Sequence, residues 1–274
     1  MVDRRSAAQM DGRQILKVTR AFGAFASPIA FFYVLAAIGW AADLKVITSG
    51  AFTAAYTELV PEFERTTATK VVTGYGASMG DSPTSIPNRL RRGEPVDVVI
   101  LASTALEELI KEGNVIAGSR VDLVRSKIGL AVRAGAPKPD ISSVRALTRA
   151  LLEAKSIGYS ESASGVYVST EMLQKLGIAN EALPKSKRFA MVGPAIASGA
   201  VEIGFQQISE LLPVKGIDYI GPLPDDIQKV TIFSAGIATG SKEPEAARSL
   251  LRFLTSQSVA KTILRTGLEP ITAR

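Results

Sequence analysis

"LKVITSGAFTAAYTELVPEFERTTATKVVTGYGAS", residues 44–78, decides how the chain folds. The apolar run "LKVIT" (44–48) has the length of a buried strand and is too short for a core helix. Phe52, Tyr56, Leu59 and Phe63 then recur at intervals of three and four, the spacing of one helix face. Pro61 within that stretch predicts a kink. "TKVVTGY" (69–75) returns to an extended pattern. Strand, helix and strand in succession form the unit from which parallel sheets are built.

The alternation continues outward. "VDVVILA" (96–102) reads as a third strand and "STALEELIKEG" (103–113) as a helix, with Ser103 or Thr104 as its cap and Gly113 as its stop. "KIGLAVRAG" (127–135) is extended, and a second series follows it: helix 143–154, strand 156–160, helix 166–177, strand 187–191, short helix 192–199, strand 200–206. The long strand-like run "QKVTIFSAGIATG" (228–240) precedes two closing helices, 243–256 and 258–267. The expected fold class is α/β, with two lobes, each a mostly parallel sheet flanked by helices. The expected division gives 43–126 plus 237–274 to lobe one and 127–236 to lobe two, with closure about extended segments near 127–133 and 230–238.

The 274-residue chain has neither cysteine nor histidine, which excludes disulfides, a Cys/His zinc cluster and a Ser–His–Asp triad. Neither a metal nor a cofactor is expected. Residues 1–42 read as a targeting segment: Arg4, Arg5, Arg13, Lys17 and Arg20 precede the apolar run 21–40, and "GWA" (39–41) offers small residues for cleavage. A cleavable signal peptide and a periplasmic location follow as expectations, with the mature chain beginning near Ala41–Asp43 and not inserted in a membrane. Residues 43–274 hold 27 basic and 24 acidic side chains without a basic run, which disfavours a nucleic-acid partner. A monomer is expected.

Four strand-to-helix turns share one character: 48–52, 74–85, 159–167 and 191–198 are rich in Gly, Ala, Ser and Thr. Small residues let backbone N–H groups approach a ligand, and first-turn amides favour an anion. In the second turn, residues 76–87 hold two Gly, two Pro and four Ser or Thr; Thr84 or Ser82 can cap, and Pro87 suits a first helical turn. Open α/β sheets bind ligands at the carboxyl ends of their strands, so the four turns together outline a cleft. The arginines at 89, 91 and 92 and the run Lys185, Lys187, Arg188 read as solvated charge.

"LKVITSGAFTAAYTELVPEFERTTATKVVTGYGAS", "RLRRGEPVDVVILAS" and "SGVYVSTEMLQKLG" resemble the periplasmic molybdate-binding protein family, the type II solute-binding proteins of ABC transporters. The resemblance implies a type II binding-protein fold, a small anionic ligand and an ABC transporter permease as partner. With the four turns, it points to ligand contacts at or beside Ser49, Gly50, Ser78, Met79, Ser164, Gly165 and Gln206, and the turn 191–198 adds Gly193. The sequence departs from the family where hydroxyls are expected: Ala51 and Phe205 stand there, and the loop 79–85 is longer. The run "ASMG" (77–80), followed by "IPNRLRRGEPVDVVI" (86–100), is similar to the aconitate isomerase branch, which implies a polycarboxylate ligand. Binding of a di- or tricarboxylate is the first reading, aconitate isomerisation the alternative, and molybdate or tungstate binding a further one. If the chain is an isomerase, Glu161 and Tyr167 are the candidate acid–base pair, because proton transfer needs two such groups close together.

Overall fold

The computed structural model describes residues 43–271; the targeting segment expected over 1–42 lies outside them. The strands are β1 (Leu44–Thr48), β2 (Val71–Tyr75), β3 (Val98–Ala102), β4 (Val121–Ser126), β5 (Ile128–Arg133), β6 (Ile157–Ser160), β7 (Ser186–Phe189), β8 (Ile203–Gln207), β9 (Ile217–Pro222), β10 (Thr231–Ile237) and β11 (Glu269–Pro270). The α-helices are α1 (Gly50–Thr67), α2 (Ile86–Arg91), α3 (Ser103–Lys111), α4 (Val144–Glu153), α5 (Ala163–Tyr167), α6 (Leu173–Lys175), α7 (Ala179–Ala182), α8 (Val192–Ala197), α9 (Ile208–Leu211), α10 (Pro244–Leu254) and α11 (Ala260–Arg265). A π-helical turn, Val168–Met172, joins α5 to α6.

The strands form two sheets, ordered β11-β4-β10-β3-β1-β2 and β7-β6-β8-β5-β9. In the first, β1 runs parallel to β2 and β3, whereas β10 runs antiparallel to β3 and β4. In the second, β6 is parallel to β7 and β8, and β5 is antiparallel to β8 and β9. Both sheets are therefore mixed, where mostly parallel sheets were expected. The cause is the double crossing: the chain leaves the first sheet through β4 into β5 and returns through β9 into β10. Each outgoing strand thus lies beside a returning one. Strand β10 belongs to the first sheet, so the return crossing precedes Thr231 instead of falling at 237.

The helix predicted from the opening stretch forms as α1. Phe52, Tyr56, Leu59 and Phe63 are all buried, packed with Val46, Val98 and Ile100 of the first sheet. Pro61 sits within it on the exposed side, where its missing N–H leaves the helical assignment unbroken. Strand β3 is buried along its whole length, as a central strand covered on both faces must be. A second core, around Ile128, Leu130, Ile157 and Phe205, covers the second sheet. Helix α3 begins at Ser103 with Ala102 in the cap position, one residue earlier than expected. Strands β4 and β9 were not apparent in the sequence.

Two polar side chains hold the frame. Gln228, in the return crossing, donates from its amide to the Ile128 and Leu223 carbonyls and accepts from the Ile128 N–H, clasping the two crossings together. Asp97, before β3, accepts from the Lys45 N–H (2.8 Å), the Ser241 hydroxyl (2.7 Å) and the Lys242 N–H (3.0 Å). It thereby ties β1 to the segment leading into α10. Burial pushes the Asp97 carboxyl up, but these hydrogen bonds outweigh it and hold the pKa below the usual range.

Asp97→Ala should lower stability by roughly 2–4 kcal/mol, because charge-assisted hydrogen bonds are lost and donors are left unpaired. A depressed carboxyl pKa stabilises the fold above the unfolded value, near 3.9, and the contribution fades as pH falls through the folded value. In urea denaturation the gap between wild type and variant should therefore be full at pH 7 and shrink progressively as pH falls below about 3.9.

Candidate functional site

The carboxyl ends of β1, β2, β6 and β7 lead into the small-residue turns, β8 leads into α9, and the ends of the two sheets meet. The Ser78 N–H donates to Ser162 Oγ at 3.1 Å, and the Ser209 hydroxyl donates to the Ala51 carbonyl at 2.7 Å. At the crossing, the Ser126 hydroxyl donates to Gln207 Oε1 at 2.7 Å. Gly80, with φ +101°, lies so near the Glu161 carbonyl that a Cβ would stand 2.8 Å from it. Ser49, Ser78, Ser126, Ser160, Ser164, Gln206, Gln207 and Ser209 are all buried there. A belt of hydroxyls and amides between two apolar cores has no packing advantage.

On the first sheet's side, Ser49 is the N-cap residue of the 18-residue α1, yet its side chain makes no capping bond. Its Oγ is buried and has no partner. Such a hydroxyl costs about 1–3 kcal/mol unless something satisfies it. Beside it, the Gly50 and Ala51 amides open α1 at the positive end of the helix dipole, while the Phe52 N–H is already bonded to the Ser49 carbonyl at 3.2 Å. Ser78 Oγ accepts from the Ala102 N–H at 2.9 Å and keeps its own proton to donate. Met79 packs against both cores of the first sheet.

On the second sheet's side, Ser160 Oγ accepts from the Ser162 and Gly165 N–H groups, at 3.3 and 3.2 Å, and pairs with Ser164 Oγ at 2.9 Å. With both lone pairs engaged, Ser160 must donate to Ser164, which leaves the Ser164 proton free. Gly165 is required by space, since a Cβ would lie 1.6 Å from the Ser160 carbonyl oxygen. Gln206 Oε1 accepts from the Val192 N–H at 3.0 Å, which aims its Nε2 at Glu210 Oε1, 2.9 Å away. The neighbouring Gln207 Nε2 is buried without a partner. Gly193 serves packing, for the place of its Cβ is taken by Val214.

Glu210 was not apparent from the sequence. Part of the residue's surface is exposed, but its carboxyl is enclosed, and Oε1 lies where a Cβ on Gly50 would come within 2.0 Å of it. Burial pushes this carboxyl up to about 7, against hydrogen bonds from Gln206 and the Gln207 N–H that favour the charged form.

Other expected participants sit differently. The Tyr167 hydroxyl donates to the Ile227 carbonyl at 2.6 Å, and its ring lies in the second sheet's core, which makes it a packing residue. Glu161 contributes its backbone to the contact between turns, and its side chain forms no ion pair among the described residues. Phe205 is a core residue and Ala51 offers its carbonyl, so neither supplies a donor hydroxyl. Arg89 binds Glu94 and the Tyr75 carbonyl, and Lys185 caps α4 through the Leu152 and Ala154 carbonyls. Both were expected to be solvated, and both instead satisfy backbone at element ends. A groove of about 340 Å³ between Pro137–Pro139 and α4 draws on the second sheet's side alone and contains none of the buried polar side chains. Among the described residues, no group of three or more carboxylates could hold a metal.

The two glycines give a direct check. Gly165→Ala forces a side chain into backbone and should destabilise the protein by about 1–3 kcal/mol or more. Gly50→Ala meets only the Glu210 side chain, which can move at the loss of its Gln206 and Gln207 bonds, so it should cost about 1 kcal/mol, less than Gly165→Ala. Denaturant melts of both variants test the ordering; equal losses would contradict it.

With this geometry in view, the chain can be compared with known proteins. It is 43% identical over 233 residues to an aconitate isomerase of a Pseudomonas species, covering 84% of this chain and 89% of that one. It is 27% identical over 244 residues to the molybdate-binding protein ModA of Azotobacter vinelandii, covering 85% and 92%. The solved structure of the Azotobacter vinelandii periplasmic molybdate-binding protein superposes with a TM-score of 0.69 at 21% identity, over 85% of this chain and all of the other. That likeness establishes the two-lobed type II binding-protein fold. A family model described as bacterial extracellular solute-binding protein matches residues 44–269, and the chain belongs to that family.

Proposed function

We propose that the cleft between the two sheets binds a small organic polycarboxylate of the aconitate type and moves a proton along it, interconverting the cis and trans forms. Among the described residues three buried side-chain atoms lack a partner, Ser49 Oγ, Gln207 Nε2 and, at the N-cap of α2, Ser85 Oγ; the reading is carried by Ser49 and Gln207, which stand at strand ends of the two sheets, supplemented by the free Ser164 proton. These donors come from both sheets, which suits an anion whose carboxylates point in different directions. A tetrahedral oxyanion needs a dense shell of donors around one centre, and Ala51 and Phe205 supply none. The relative at 43% identity supports the reaction type. Aconitate has a methylene group between a carboxylate and a carbon–carbon double bond. Removing one methylene proton gives an allylic anion, and returning it at the other end shifts the double bond.

Calorimetry on ligand-stripped protein should find citrate or aconitate bound at least about tenfold more tightly than molybdate or tungstate, near 1.4 kcal/mol. Submicromolar molybdate binding with no response to polycarboxylates would overturn the reading. The likeness to ModA favours a second reading, in which the ligand is held unchanged and passed to an ABC transporter permease. A stoichiometric ligand that stays unaltered over time would favour it.

Export is part of the same proposal. The family is described as extracellular, and among the described residues no helix is long and apolar enough to cross a membrane. The basic-then-apolar pattern of residues 1–42 supports cleavage near Ala41–Asp43 and release into the periplasm. N-terminal sequencing of periplasmic protein should begin there; a full-length, membrane-bound product would contradict export by cleavage.

A further inference from the structure

We infer that Glu210 is the group that carries the proton in this cleft, an assignment that rests on the isomerase reading. Its position is fixed from three sides. Gln207 is the N-cap residue of α9, and Glu210, three residues on, reaches back to the Gln207 N–H as in a capping box. Gln206 cannot turn its amide over without losing the Val192 bond, so its Nε2 faces Glu210. The Ser209 hydroxyl on the Ala51 carbonyl presses α9 onto the start of α1. Capping alone does not require this enclosure, since a capping glutamate on an exposed turn stays in water. Here Oε1 lies against Gly50, the first residue of α1 and the chain neighbour of Ser49, whose hydroxyl has no partner. A missing side chain at position 50 leaves that approach open.

Two further carboxyls are committed elsewhere, and Glu161, which is not, reaches the contact between turns through its backbone carbonyl. Asp97 is held by the hydrogen bonds that frame β1 and α10, and Asp122 binds Arg120 and Ser234. Tyr167 is bound to the Ile227 carbonyl. The surroundings of Glu210 are neutral: the first turn of α1, β8 and α8 bring no charged side chain to it. Lys127, at the outgoing crossing, faces Glu269 at 3.7 Å.

The step balances without a further reactant. The Glu210 carboxylate takes a proton from the methylene carbon: a C–H bond breaks, an O–H bond forms, and the electron pair spreads over the allylic carbons and their carboxylates. Ser49 and the α1 amides stabilise that developing charge. The same O–H then returns its proton to the other terminal carbon and restores the carboxylate. Burial raises the Glu210 pKa to about 7, so the basic form grows as pH rises through neutrality.

The test uses the mature chain as wild type, E210Q and E210D. Proton NMR follows conversion of trans-aconitate from pH 5.5 to 9, and calorimetry measures tricarballylate, a saturated analogue that cannot isomerise. Wild type should convert with a rate that rises through about pH 7. E210Q should bind tricarballylate equally or more tightly while converting about 100-fold more slowly or worse. E210D should convert slowly with the rising limb displaced. An E210Q variant that keeps the wild-type rate and limb overturns the assignment and leaves the isomerase reading standing. Wild type that binds tricarballylate but converts neither isomer overturns that reading and this assignment with it. If melting shows E210Q unfolded, E210D decides: a wild-type rate and limb would overturn the assignment.

Discussion

The Gln228 clasp is the interaction on which the rest of the architecture depends. One side chain holds the outgoing and returning crossings side by side, through the Ile128 N–H and carbonyl and the Leu223 carbonyl. Because the crossings are adjacent, β4 and β10 pair in one sheet and β5 and β9 in the other. The two sheets therefore share a single narrow joint. The carboxyl ends of their parallel strands face each other across it, and the small-residue turns come within hydrogen-bonding distance. A joint of two neighbouring strands permits rotation with little loss of core packing, which is how hinge-closing proteins admit a ligand.

The cleft itself follows from a conflict between burial and polarity. Closure buries serines and glutamines that would otherwise be hydrated, and most recover partners in one another, as in the Ser160–Ser164 pair and the Ser126–Gln207 bond. Ser49, Ser85 and Gln207 Nε2 do not. A fold selected only for stability would place apolar residues there, because desolvated donors without acceptors oppose folding. The donors of Ser49 and Gln207, on opposite sides of the joint, are the ones the proposed anion would satisfy. The same reasoning sets Glu210 apart, since an enclosed carboxyl near neutrality is costly as structure and useful as a proton carrier.

Much of this was legible in the sequence, and the limits have physical causes. Strands β1 and β3 and helix α1 could be read because their apolar periodicity reports burial on local grounds. The turns at 49–50, 78–79 and 163–165 could be read because small residues at strand ends contribute little to packing and much to close backbone approach. Strand β4, "VDLVRS", was missed because its alternation carries Asp122 and Arg125, and β9 because it is only partly buried. Tyr167 was a candidate only as the partner of Glu161 in an isomerase, and its hydroxyl answers a carbonyl sixty residues away. Glu210 gave no local signal at all. In "QISELLP" it is an ordinary helical glutamate, and only the packing of α9 on α1 brings it to Gly50. Contacts between sheets are fixed by topology, which periodicity does not encode.

The central claim is that one small polycarboxylate engages both sheets at once. Hydrogen–deuterium exchange of the mature protein with and without saturating tricarballylate tests it most directly. The account predicts added protection of amides at 50–52 and 78–80 on one sheet, at 162–165 and 206–210 on the other, and along the crossings near 127 and 223–230. Protection confined to one sheet, or centred on the groove beside Pro137–Pro139, would contradict it.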